Sequence, residues 1–274
     1  MKSPKKKYIL KPQKQTFLDI VRRLKKEPIE FSEFLELLEN ISDKFYENSE
    51  LEFELLLING FPLDIKDNFV FLKTTNTSIL EQTFCFVDIE TNGGSPKNGH
   101  QIIELGAVKY KNGQILDKFD SLVFAKEIPI FIQEVTNISL DMLQTAPRLE
   151  KVLKEFKEFL GDDVFVAHDI KFDYNFISDS FEKYNLGKLL NRKICTIDLS
   201  KRCIQSQKYG LSTLKELLNI DVQNHHRAYF DALSTEIIFE RCLENIDFSK
   251  IKSTEDLIAF SKSNNILKIP KENN

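Results

Sequence analysis

The chain has 274 residues, 42% hydrophobic and 29% charged, enough apolar material for one large domain or for a domain with a smaller companion. No apolar run approaches the roughly 18 residues of a membrane span, and no signal-peptide core follows the basic opening Met1 to Lys7, so the expectation is a soluble, cytoplasmic protein. Cys85, Cys195, Cys203 and Cys242 are scattered without a C-x-x-C pair, which excludes a zinc knuckle and a disulfide framework.

The net charge of −4 is unevenly spread. Residues 1–27 hold ten Lys/Arg against two Asp/Glu, residues 28–80 three against eleven, and residues 81–274 25 against 29. Residues 1–15 read as a basic flexible arm, either a solvated tail or a contact for phosphates. The run Gln13-Lys14-Gln15-Thr16-Phe17-Leu18 is similar to a short sliding-clamp peptide. Residues 16–80 read as a small, mainly helical N-terminal domain. Phe17, Ile20, Val21 and Leu24 share one helical face, as do Phe31, Phe34, Leu35 and Leu38, with Ser32 as the cap. A third helix is expected over 49–59, closed by Gly60. A hairpin follows around Lys66-Asp67-Asn68. Three helices and a hairpin suit a winged-helix-like module, but its acidic charge argues for docking a protein, or packing on a neighbour, over gripping DNA. Thr74-Thr75-Asn76-Thr77-Ser78 reads as a linker.

From Thr83 the pattern becomes strand and helix in alternation over 81–245. A strand over 84–88 is followed by a hairpin of 101–110 and 114–124 across Asn112-Gly113. Helices are expected over 139–144 and 147–160, a strand over 164–168, a helix over 172–184 and a strand over 192–196. Helices over 198–205, 212–218 and 226–243 complete the region. Strands alternating with helices imply an α/β fold, a sheet covered by helices, and the hairpin makes that sheet mixed. Residues 246–274 add a C-terminal helix, 254–262, and a polar tail.

Three places put acids where the pattern demands apolar residues. Phe84-Cys85-Phe86-Val87 runs into Asp88-Ile89-Glu90-Thr91. Positions i and i+2 of a strand share a face, so Asp88 and Glu90 aim at one volume; either a cation sits there or the strand simply ends in an acidic turn. The strand Val164-Phe165-Val166-Ala167 runs into His168-Asp169-Ile170-Lys171-Phe172-Asp173, where Asp173 is either a site residue or an acid answering a helix dipole. His225-His226-Arg227-Ala228-Tyr229-Phe230-Asp231-Ala232 opens the last long helix, where Asp231 is either a site residue or solvent-facing.

In this order and on these elements the three segments resemble the DEDDh (DnaQ-like) 3′→5′ exonuclease family. Asp88-x-Glu90-Thr91 is similar to its first motif, Ala167-His168 with Phe172-Asp173 to its second, and His226-Arg227-Ala228-x-x-Asp231-Ala232 to its third. The segments His100 to Val108 and Cys195-Thr196-x-x-Leu199 also match, and the likeness covers about 160 residues, Thr83 to Leu243. Within the family the motifs look most like those of the epsilon proofreading subunit of bacterial DNA polymerase III.

The resemblance implies a ribonuclease-H-like fold, a five-stranded mixed sheet flanked by helices. It also implies two Mg²⁺ or Mn²⁺ ions held by Asp88, Glu90, Asp173 and Asp231, and hard cations suit four carboxylates that would otherwise repel one another. Asp88 would bridge both ions, Glu90 and Asp231 would complete one site, and Asp173 would hold the second. His226 would be the general base, His225 lacking the x4 spacing to Asp231. Thr91, His168, Asp169 and Phe172 would contact substrate. The implied reaction releases nucleoside 5′-monophosphates from a single-stranded or frayed DNA 3′ end, with a DNA polymerase III catalytic subunit as partner.

Two positions depart from the family: Asn92 where a Thr is usual, and Asp169 where an Asn is usual. The extra carboxylate at Asp169 is expected to weaken contact with a phosphate backbone. An RNA-directed relative of the oligoribonuclease or RNase T kind, and a non-catalytic binding subunit, are the alternatives.

Overall fold

The computed structural model describes residues 15–222 and 226–267. Most of the basic arm, His225 and the end of the polar tail lie outside the described residues, as do Gln13 and Lys14 of the clamp-like run. Contacts group the chain into two units: residues up to Leu55 with Leu63–Leu72, and Leu56–Pro62 with Lys73 onward.

In the first unit, α1 (Phe17–Leu24), β1 (Ile29–Glu30), α2 (Phe31–Asn40), α3 (Ser49–Ile58, its last turn counted with the second unit), β2 (Leu63–Lys66) and β3 (Phe69–Leu72) follow one another. The strands form an antiparallel sheet in the order β1-β3-β2. The expected three helices and hairpin are present, with one short strand, β1, added beside the hairpin. Asp67 and Asn68 take φ of 51° and 66°, the left-handed pair that a tight hairpin needs. Phe53 meets Phe31 and Phe34 edge-on at 5.5 and 5.9 Å. Ser32 is not the cap of α2. Glu30 takes that place, and the Ser32 hydroxyl donates to its carboxylate at 3.0 Å.

The second unit opens with α4 (Lys73–Asn76). The expected linker is therefore structured. Its polar groups are bonded inward: the Thr74 hydroxyl donates to Glu255 Oε2 at 3.0 Å, and the Thr254 backbone N–H donates to the Thr77 carbonyl at 2.9 Å. Then come β4 (Phe84–Thr91), β5 (Ile102–Lys111), β6 (Gln114–Leu122), α5 (Ile130–Thr136), α6 (Leu140–Gln144), α7 (Leu149–Leu160), β7 (Val164–Ala167), α8 (Ile170–Lys183), β8 (Lys193–Cys195), α9 (Thr196–Cys203), α10 (Leu211–Leu217), α11 (Ala228–Leu243) and α12 (Thr254–Ser261). Helix α5 has no counterpart in the sequence reading.

The strands form one mixed sheet, ordered β6-β5-β4-β7-β8. β4 pairs antiparallel with β5 and parallel with β7. Alternation along β4 divides the core. Phe84 and Phe86 pack with Phe239 of α11 on one face, while Cys85 and Val87 join Phe156 of α7 and Phe181 of α8 on the other. This is the ribonuclease-H-like arrangement, a five-stranded mixed sheet with helices on both faces. Pairing of β4 with β7 stops at Phe86↔Val166, so the last five residues of β4 run on beside the point where β7 turns into α8. A crevice at the carboxyl ends of parallel strands is where such sheets place their sites. Among the described residues no helix is long and apolar enough to cross a membrane.

Candidate active site

Asp88 and Glu90 share the parity of Phe84 and Phe86. They continue the face covered by α11 beyond the point where apolar packing ends. Asp231 stands in the first turn of α11, and Asp173 in the first turn of α8 beside β4. The four carboxylates line a cleft of about 300 Å³ together with His226, His168, Asp169 and Phe172. Ile89, Leu211 and Ser212, which the motifs do not mark, also line it. Of the sequence-selected residues only Thr91 stands apart: it is buried, and its hydroxyl donates to the Gly93 carbonyl at 2.8 Å, holding the turn after β4.

Two of the four carboxylates, Asp173 and Asp231, each accept a backbone N–H. The Ile89 N–H, which has no β7 partner, donates to Asp173 Oδ1 at 3.3 Å, so the end of β4 is tied to the start of α8. His226 has a φ of 58°, a left-handed conformation uncommon for a residue with a side chain. It lies before α11, not within the expected helix 226–243, because α11 begins at Ala228 with Arg227 as its cap. That backbone turn points the His226 N–H at Asp231 Oδ2, 3.1 Å away. Ligand atoms of Glu90, His226 and Asp231 all fall within 4.8 Å of one another.

The carboxylates are crowded and partly stripped of water. Burial, then repulsion from Asp173, Glu90, Asp231 and Glu104, holds the Asp88 carboxyl well above the usual carboxylate range. Burial and the neighbouring Asp231 and Glu104 push Glu90 up to about 8 against the pull of Arg227. Burial also lifts Asp173 to about 8, although its own N–H and that of Ile89 oppose the rise. Such a set would be relieved by bound cations. Oxygen donors with one imidazole, and no thiolate in the group, fit a hard divalent ion of the Mg²⁺ or Mn²⁺ kind.

The remaining cleft residues differ in freedom. His168 has both ring nitrogens engaged, Nδ1 with the Thr196 hydroxyl and Nε2 with the Tyr209 carbonyl, each at 2.9 Å, and burial lowers its pKa. It therefore pins the end of β7 to α9 and offers the cleft only ring carbon. Asp169, exposed at the head of α8 with a φ of 62°, adds a fifth carboxylate. Left-handed backbone suits Asn as well as Asp, so the residue type here is not forced by conformation. Phe172 remains 41% exposed with its ring 5.7 Å from that of Phe176, a flat surface at the cleft.

Glu104, inside the matching segment His100 to Val108, is fully buried on β5 across from Glu90. Its signal was the same as that of Asp88: a charge inside an apolar strand.

The family profile described as exonuclease (RNase T) matches residues 85–239, more than half of the chain. A PolC-type DNA polymerase III of Staphylococcus haemolyticus (strain JCSC1435) is 38% identical over 188 residues, 68% of this chain and 13% of that one. The PolC-type enzyme of Staphylococcus aureus (strain bovine RF122 / ET3-1) is 37% identical over 195 residues, again 13% of its length. The chain thus spans about an eighth of these relatives, and since they are PolC-type polymerases the motif likeness to epsilon subunits does not single out that subunit. Among solved structures, exonuclease X in complex with 5′ overhanging duplex DNA superimposes with a TM-score of 0.50 at 22% identity, covering 65% of this chain and 99% of that one. The nuclease domain of 3′hExo, a DEDDh member bound to rAMP, gives 0.52 at 18% identity, covering 60% and 92%. At such identities the likeness is one of fold.

Proposed function

The chain belongs to the exonuclease (RNase T) family, DEDDh 3′→5′ exonucleases that hydrolyse phosphodiesters, and from that premise we propose that it trims DNA from the 3′ end, releasing nucleoside 5′-monophosphates, as a proofreading nuclease. The observation that carries this reading is the cleft where four carboxylates and His226 meet. Carboxylates pushed as high as Glu90 and Asp173 would stand largely protonated near neutral pH without cations, and structural packing gains nothing from them.

Asp88, Glu90, Asp173 and Asp231 would hold two Mg²⁺ or Mn²⁺ ions. Bound there, such ions supply Lewis acidity toward water and neutralise charge on the phosphate. His226 accepts the proton of the attacking water, its ring next to Glu90 and Asp231. Its backbone bond to Asp231 keeps that ring at the carboxylates while the proton moves. Phe172 offers a face on which a terminal base can stack. A cleft of about 300 Å³ suits a single strand end, so the expected substrate is a single-stranded or frayed 3′ terminus.

The polymerase relatives support a proofreading setting, with a replicative DNA polymerase as partner. Co-purification of the full chain with that polymerase tests the setting apart from the chemistry. For the chemistry, the full chain is incubated with 5′-labelled DNA and RNA oligonucleotides and Mg²⁺ or Mn²⁺. Stepwise shortening of DNA from the 3′ end is expected, and Asp88→Ala should reduce it by at least about a thousandfold while the protein stays folded. Retained activity in Asp88→Ala overturns the site, and faster shortening of RNA replaces the substrate with the RNA alternative.

A further inference from the structure

A carboxylate in the middle of a sheet is costly unless it is paired and hydrogen-bonded. Glu104 has a receptor built for it. Arg227 donates from Nε at 2.8 Å and from Nη2 at 2.6 Å to Oε1, and the Ala228 backbone N–H donates to Oε2 at 2.9 Å. Both donor residues, Arg227 and Ala228, belong to the short stretch between His226 and Asp231. Glu104 is also the cross-strand partner of Glu90. One side chain therefore spans from the strand opposite Glu90 to the backbone that carries His226 and Asp231. Two residues along the same face, Gly106 lets that backbone come close: an added Cβ would lie 2.1 Å from the Tyr229 nitrogen.

An ion pair serving packing alone would be poorly placed here. A negative charge across from Glu90 adds to the repulsion among the carboxylates, and an apolar pair of similar volume would hold β5 to α11 at less cost. The arrangement makes sense where orientation matters more than stability. We propose that Glu104, clamped by Arg227, is a positioning residue that sets His226 and Asp231 against Glu90 and so fixes the metal-binding geometry; this rests on the exonuclease reading above. Groups that orient ligands from behind typically change metal affinity or activity by about 10–100-fold when removed.

The test uses the full chain with Glu104→Gln, Arg227→Lys and the double variant. Steady-state cleavage of a 5′-labelled single-stranded DNA, calorimetric titration with Mn²⁺ alone, and thermal melting are measured on each. Glu104→Gln keeps the shape and loses the charge, whereas Arg227→Lys keeps the charge and loses the fork. Each is expected to lower kcat by about 10-fold or more, leave KM within about twofold, and weaken Mn²⁺ binding by about 10-fold. The double variant should be no worse than the poorer single one, since the pair acts as a unit. Wild-type kcat and Mn²⁺ affinity in a variant whose melting temperature has fallen would reduce the pair to a structural role and overturn the proposal. If Glu104→Gln fails to fold, Arg227→Lys, altered at a partly exposed side chain, decides alone. If the unaltered chain cleaves neither DNA nor RNA, the exonuclease reading falls, while the Mn²⁺ titration still supports or overturns the clamp.

Discussion

Burial pushes the Glu90 and Asp173 carboxyls up to about 8, so without bound cations each is expected to keep its proton near neutral pH. Glu90 titrates near 4.5 when unfolded and is pushed up to about 8 in the fold. Between those values the native state binds a proton that the unfolded chain does not, so stability is fully present below about pH 4.5 and is lost as pH rises through about 8. Asp173 behaves alike from its lower starting value. Glu90→Gln removes the titration while keeping the shape. In EDTA at pH 8 its melting temperature should exceed that of the unaltered chain, by about 2–4 °C for each kcal/mol relieved, and the gap should close toward pH 4. Mn²⁺ should then raise the unaltered chain more than the variant, because ions that bind only the native state stabilise it. A gap that widens on acidification would mean that Glu90 is held as a paired anion, and the crowding argument would fail.

The start of α11 against β5 is the joint at the scale of elements. Gly106 is there because the helix backbone occupies the place of a side chain: its Cβ would also meet the Ala228 carbonyl carbon at 2.3 Å. Gly106→Ala should push the start of α11 away from β5 by about an ångström. A displacement of that size can cost about 100-fold in rate, so the variant is expected to fold, melt lower and lose most of its kcat in the oligonucleotide assay. Unchanged kcat would show that α11 can shift without moving Asp231. Neither Gly106 nor the φ of His226 could be read from the chain alone, because both depend on where two distant elements meet. Asp88 and Glu90 drew notice because they break an apolar pattern at the end of a strand, whereas Asp173 and Asp231 each also fit an ordinary helix acid and entered the candidate site only through the motif resemblance. Glu104 broke the pattern just as plainly, but its donors lie more than a hundred residues away and local spacing does not reveal them. Helix α5 was missed for a different reason: Ile130, Phe131 and Val135 are 73%, 62% and 50% exposed, so its apolar residues follow no buried stripe.

At the scale of the molecule, composition places a boundary near residue 80, and contacts do not respect it. Leu56–Pro62 and the chain from Lys73 belong with the nuclease. The Leu190 N–H donates to the Asn59 carbonyl at 2.9 Å, and Lys157 reaches the Asn59 side chain at 3.2 Å. Ile79, 3% exposed, sits in the core cluster of Phe84 and Phe239. Glu255 is 7% exposed and takes donors from Thr74 and Arg192, with Arg192 Nε at 3.0 Å. A chain cut to begin at residue 81 loses Ile79, the Asn59 bonds and the Thr74 donor together. Burial of one such aliphatic side chain contributes about 1.5–3 kcal/mol, and each lost partner of a buried polar group costs about 1–3 kcal/mol. Their sum is a large part of the roughly 5–15 kcal/mol that keeps a domain folded. The 81–274 form should therefore melt at least about 10 °C below the full chain and lose cooperativity. Asn59→Ala and Thr74→Val in the full chain should each reproduce part of that fall, with nuclease activity at low temperature preserved. An 81–274 form that melts with the full chain would restore the boundary that composition suggests, and would leave Asn59 and Thr74 as bonds without weight.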